Sequence, residues 1–114
     1  MSEISIKIRL HHHDAIAFGP GKADLLDAIQ STGSISAAGR KMGMSYKRAW
    51  DLVQTMNQSF KQPLVSTSKG GSQKGGASLT TMGEQVLEQY RQIEQSAADT
   101  TAERLQTLCK LLAP

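Results

Sequence analysis

Residues 45–48, Ser-Tyr-Lys-Arg, set a hydroxyl, a phenol and two cations at what reads as the start of a helix. Helix N-termini carry unpaired backbone N–H groups and the positive end of the helix dipole, so they attract anions. Ser45, Tyr46 and Lys47 there suit contacts to phosphate. Arg48 and Gln54 carry the donor and acceptor patterns that match guanine O6/N7 and adenine N6/N7 in a major groove. A solvated helix face would present the same residue types, so the pattern alone leaves both meanings open. A second candidate lies at Lys69–Gly76, KGGSQKGG. Gly70, Gly71, Gly75 and Gly76 let a backbone come close to phosphates, and Lys69 and Lys74 supply charge. A plain hairpin turn with incidental lysines is the alternative. A nucleotide phosphate loop is excluded, because the order of Gly, Lys and Ser/Thr is wrong and no helix directly follows.

Other chemistry is sparse. His11-His12-His13-Asp14 is the one metal-like cluster in the sequence. Adjacent side chains on a strand point to opposite faces, so three consecutive histidines do not converge on one ion. A solvated turn is the better account, and neither a metal nor a cofactor is expected. Trp50 has the helical phase of a core residue, and Cys109, flanked by Leu108 and Leu111, that of a small buried hydrophobe. No Ser/His/Asp set, paired carboxylates or metal-ligand spacing is present, so the chain is not expected to be an enzyme. Aromatic residues make up 4% of the chain, too few for broad base-stacking or sugar-stacking platforms.

The elements that must position these residues follow from periodicity. Ile4, Ile6, Ile8 and Leu10 alternate with polar residues, which predicts a strand, and Ala15–Phe18 predicts its hairpin partner. Leu25, Leu26 and Ile29 share a helix face running from Lys22 to a stop at Gly33. Ser34 then offers an N-cap to a two-turn helix carrying Ile35, Ala38 and Met42, with Gly43 ending it. Ser45 caps a third helix whose core side is Ala49, Trp50, Val53, Met56 and Phe60, until Gln62-Pro63 stops it. Very short turns, with Ala38 and Gly39 where helices must approach, make this a helix-turn-helix. Strands at Leu64–Ser68 and Ala77–Leu79 flank the glycine-rich tip. Helix-turn-helix followed by hairpin defines a winged helix. Thr80 or Thr81 begins a further helix, Thr81 with Glu84 fitting a capping box. Along it Val86, Tyr90, Ile93 and Ala97 form a 4-3-4 seam suited to dimerisation. Asp99-Thr100-Thr101 predicts a break before a short terminal helix bearing Leu105, Leu108 and Leu112.

The expected fold is thus mainly α with small β-hairpins: a winged helix-turn-helix with an N-terminal hairpin over residues 1–80, then a helical dimerisation region over 81–114. At 114 residues, 39% hydrophobic and 20% charged, the chain has a globular composition with room for one module. Residues 22–74 hold eight Lys and Arg against three acids, a local excess of five positive charges, while residues 75–114 carry two net negative charges. A basic centre with a mildly acidic tail suits a polyanion partner. No apolar run approaches the roughly 18 residues of a membrane span, and the N-terminus lacks the apolar core of a secretory signal. With a lone cysteine, these features predict a cytoplasmic protein.

The segments Gly33–Gly39 (GSISAAG) and Gly43–Asp51 (GMSYKRAWD), then Met56-Asn57, Pro63-Leu64-Val65 and the glycine-rich wing ending in Leu79-Thr80, run in an order that resembles a known family. They resemble the N-terminal DNA-binding domain of the molybdate-responsive transcriptional regulators (the ModE family), itself similar to LysR-type winged helices. The resemblance runs from about Ile4 to Tyr90. It implies a bacterial regulator that binds double-stranded operator DNA as a homodimer, with the long helix from Thr80 supplying the dimer contact. The candidate DNA-binding set is Ser34, Ser36, Ser45, Tyr46, Lys47, Arg48, Gln54, Lys69, Gly70, Gly71, Lys74, Gly75 and Gly76. Full-length family members carry C-terminal oxyanion-binding domains, whereas this chain stops at Pro114. Either it is a single-domain member regulated by its abundance or by an effector-sensing partner protein, or it is an excised domain; starting with Met1 and ending without a linker-like tail, it reads as a complete small protein. The rival function is a winged-helix protein-interaction module that binds no DNA.

Overall fold

The computed structural model describes residues 5–68 and 76–114. In chain order they form β1 (Leu10–His12), β2 (Ala15–Phe18), α1 (Pro20–Thr32), α2 (Ile35–Lys41), α3 (Tyr46–Ser59), β3 (Val65–Thr67), β4 (Ala77–Leu79) and α4 (Thr81–Cys109). Each strand pair is antiparallel, β1 with β2 and β3 with β4. The winged helix-turn-helix expected above is the fold observed.

Helix boundaries follow local chemistry. Pro20 sits in the first turn of α1, where its missing N–H costs nothing, and Gly33 ends the helix at φ 75°. The side chains of Ser34, Ser45 and Thr80 cap α2, α3 and α4 by accepting from the backbone N–H groups of Ala37, Arg48 and Gly83. Of the two threonines proposed for α4, Thr80 is therefore the cap and Thr81 the first helical residue.

Phe18, Leu25, Leu26, Ile29, Val53, Met56, Leu64 and Tyr90 form the heart of one continuous core. Phe18 meets Tyr90 and Phe60 edge-on, with ring centroids 5.1 and 6.0 Å away. The Tyr90 hydroxyl donates to the Ile8 carbonyl at 2.6 Å. Burial, reinforced by the nearby Glu94 charge, raises the Tyr90 phenol above its ordinary pKa and keeps that donor protonated. Arg91 joins α4 to α1, reaching Asp24 at 3.0 Å, Asp27, and Glu94 at 2.9 Å. Burial alone would lower the guanidinium pKa, but these carboxylates outweigh it and raise it.

Two expectations need correction. The strand anticipated from Ile4 to Leu10 begins only at Leu10. Its partner spans only Ala15–Phe18, and the register Leu10↔Phe18, His11↔Ile16, His12↔Ala15, with an irregularity that skips Ala17, reaches the partner's end at Leu10. Ile8 packs on the core while Ile6 remains exposed, so the alternation does not bury a whole strand face. The break expected near Asp99 is also absent, and α4 runs 29 residues without interruption. Thr101 Oγ1 donates to the Ala97 carbonyl at 2.6 Å and Gln95 Nε2 to Asp99 at 2.9 Å, bonds made within the helix. The low propensities of Asp and Thr, each about 0.7 kcal/mol or less, are too small to stop a helix already propagating from a packed first half. At about 1.5 Å per residue α4 is roughly 43 Å long, most of the molecule's 58 Å long dimension.

Candidate nucleic-acid interface

The spacing of α2 and α3 is set by small residues. A Cβ on Gly39 would lie 3.2 Å from the Ala49 Cβ and 3.4 Å from the Met44 carbonyl, so the helices meet nearly backbone to side chain. Gly43 at φ 72° turns the chain, and Met44 N–H donates back to the Gly39 carbonyl at 2.9 Å. Ser45 then starts α3, whose inner side is Ala49, Val53 and Met56.

That packing leaves Ser45, Tyr46, Lys47 and Arg48 exposed together on the first turn of α3. No acidic residue shares the turn. Lys47 is 84% exposed and pairs with Asp51 one turn on at 3.0 Å, a solvated contact that a phosphate can replace. Gln54 is half-buried. Trp50 departs from the core position expected for it. It is half-buried at the margin of the core and stacks on Tyr46, with ring centroids 6.3 Å apart and planes at 19°. Tyr46 itself is 57% exposed.

Ser34, the N-cap of α2, and Ser36, in its first turn, have prior engagements. Ser34 Oγ accepts from Ala37 N–H at 3.0 Å, and Ser36 Oγ accepts from Arg40 at 2.9 Å. The wing strands pair Val65↔Leu79, Ser66↔Ser78 and Thr67↔Ala77. Ala77 N–H donates to the Gly33 carbonyl at 2.9 Å, which hooks the wing to the end of α1. Gly76 closes the wing base by accepting from Ser68 N–H at 2.9 Å. The remaining wing candidates, Lys69, Gly70, Gly71, Lys74 and Gly75, lie outside the described residues.

Sequence reasoning missed Asn57 as an organiser of this site. Its Oδ1 accepts from Leu64 N–H at 2.8 Å and Val65 N–H at 3.1 Å, and its Nδ2 donates to the Val65 carbonyl at 3.2 Å. One side chain thus registers the wing against α3. A lone Asn late in a helix gives no periodic signal, and although a strand was expected from Leu64, nothing in the spacing tied Asn57 to its start.

The anticipated seam on α4 divides. Tyr90 is spent on the chain's own core, Val86 and Ala97 are half-buried, and Ile93 is 44% exposed. Ile93 borders an apolar groove of about 420 Å³ lined by Leu10, Phe18, Phe60, Val86 and Tyr90. At the N-terminal hairpin His13 and Asp14 form a turn with φ 52° and 64°, and the His12 and His13 rings touch. Among the described residues no three His, Cys, Asp or Glu side chains gather as a metal site. Among them, too, no helix is long and apolar enough to cross a membrane.

Residues 22–84 match the family model described as bacterial regulatory helix-turn-helix protein, lysR family. The chain is 49% identical over 80 residues to the molybdenum-pterin-binding protein MopB of Rhodobacter capsulatus, covering 70% of this chain and 30% of that one. It is 37% identical over 115 residues to the transcriptional regulator ModE of Yersinia pestis, covering 98% of this chain and 43% of that protein. The chain therefore spans less than half the length of these relatives. Its fold is also that of the CbnR_DBD–DNA complex, with a TM-score of 0.59 at 20% identity over 78% of this chain and 95% of that one.

Proposed function

This chain belongs to the lysR family of bacterial regulatory helix-turn-helix proteins, and we propose that it is a transcriptional regulator binding operator DNA as a homodimer. In this function α3 enters the major groove and the β3–β4 wing lies against the adjoining backbone. The observation that carries it is the first turn of α3, where Lys47 and Arg48 stand exposed at a helix N-terminus, with no acid in that turn and only the solvated Asp51 one turn on, paired with Lys47. Similarity to ModE and MopB supports molybdenum-related genes as the targets, and the setting is the bacterial cytoplasm. The activity is binding, with no catalytic step.

Selection of genomic fragments by the purified chain at near-physiological salt tests this. A palindromic site is expected, bound about tenfold or more weaker by Arg48→Ala, because one bidentate base contact contributes about 1–3 kcal/mol. Lys47→Ala is expected to weaken binding evenly across sequences and to reduce the salt slope of the dimer by about two, one for each protomer. A folded protein that enriches no fragment, or ignores both changes, would be the interaction module instead.

The homodimer is assigned to α4. Beyond Tyr90 the helix carries Ile93 and Leu108 exposed, and Leu111 and Leu112 follow just past its end, apolar surface that no described part of the chain covers. Ile93→Asp is expected to halve the mass seen by sedimentation equilibrium while leaving unfolding of the core unchanged, since Ile93 lies outside it. An unaltered dimer would move the interface elsewhere.

A further inference from the structure

We propose that Tyr46 and Trp50 form an aromatic shelf that contacts the C5-methyl group of a thymine in the bound duplex, which makes them specificity-determining residues. The proposal rests on the DNA-binding function above and adds a base to it. Inside α3 the core contact is already made by Ala49, Val53 and Met56. The Tyr46 ring takes no part in it and stands 57% exposed in the first turn, beside Lys47 and Arg48. It is nevertheless held in place, because the i, i+4 spacing stacks it on Trp50 at 6.3 Å and 19°. Trp50 is in turn anchored at the margin of the core. A large apolar surface kept rigid and in water is unfavourable until a partner covers it.

Position identifies the partner. Tyr46, Trp50 and Asn57 follow one another at intervals of four and seven, so they share one stripe of the helix. Asn57 bonds Leu64 and Val65 at the start of β3, which places that stripe on the flank of α3 nearest the wing. The first turn of a recognition helix is where side chains reach base edges. Bases in a duplex are stacked and cannot lie on a protein ring, so a ring in the major groove meets edges only. Among those edges the one apolar group is the thymine methyl.

The full chain would first select its preferred duplex from a random library. Each thymine of that duplex is then replaced by deoxyuridine, which removes one methyl group and keeps every base pair. At one position in each half-site, the wild type is expected to lose about fourfold in affinity, the factor that burial of one methyl group supplies. Tyr46→Phe should show the same loss, since it keeps the ring. Tyr46→Ala should bind the thymine and deoxyuridine duplexes equally, with its affinities read at reduced salt where needed. Indifference of the wild type to every replacement, or a methyl effect that survives in Tyr46→Ala, overturns the shelf while leaving DNA binding intact. If no duplex is selected at all, the DNA-binding function itself fails and takes the shelf with it.

Discussion

Replacing Gly83 with alanine is expected to destabilise the chain by about 3 kcal/mol, at the upper end of what overpacking costs. Intrinsic helix propensity argues the opposite sign, since glycine to alanine inside a helix gains about 1 kcal/mol. Tertiary contact reverses it. A Cβ at Gly83 would lie 2.1 Å from the Leu64 carbonyl oxygen and 3.0 Å from its carbon. Neither backbone can withdraw. The Leu64 oxygen accepts from Thr80 N–H at 2.9 Å, Thr80 Oγ1 donates to the Pro63 carbonyl at 2.7 Å, and Leu64 N–H is held by Asn57. Gly21→Ala, with nothing within 4 Å of its added carbon, serves as the control and should be neutral or slightly stabilising. Urea midpoints of the two variants decide the matter. A Gly83→Ala midpoint at or above that of the parent would mean that α4 does not approach Leu64 this closely.

Asn57→Ala is expected to cost about 2–3 kcal/mol, because it strands the Leu64 and Val65 N–H groups in a half-buried site after their acceptor is removed. The damage should concentrate in the wing. Hydrogen exchange of the Leu64 and Val65 amides should accelerate well beyond that of α1 amides once corrected for global stability. Asn57→Asp should fall between the two. It keeps the Oδ1 acceptor but replaces the Nδ2 donor by an oxygen that faces the Val65 carbonyl. Loss of stability without selective exposure of those two amides would show that Asn57 supports the core generally and does not register the wing.

Much of this protein was legible in its residues. Ser34 and Ser45 before apolar periods, Gly33 and Gly43 after them, and Pro63 beyond the third helix are local signals, and local backbone chemistry decides where helices begin and end. The order of three helices, a hairpin and a long helix followed from those signals, and with it the winged helix. The cationic first turn of α3 was legible for the same reason, since helical phase alone separates Ala49, Val53 and Met56 from Lys47 and Arg48.

What the sequence could not determine depends on residues far apart in the chain. The alternation in the first ten residues reads as a strand of that length, but the ladder is only as long as its partner, and that partner ends at Phe18. The seam of Val86, Tyr90, Ile93 and Ala97 reads as one interface. Tyr90 instead bonds Ile8, 82 positions away, and leaves Ile93 alone at the surface. Trp50 has the phase of a core residue, yet it lies half-buried at the core's margin, where its ring also stacks on Tyr46. Gly83 and Asn57 look unremarkable in one dimension. Their roles exist only because the chain after Pro63 returns across both of them, and close packing gives no local sign of the segment that will arrive.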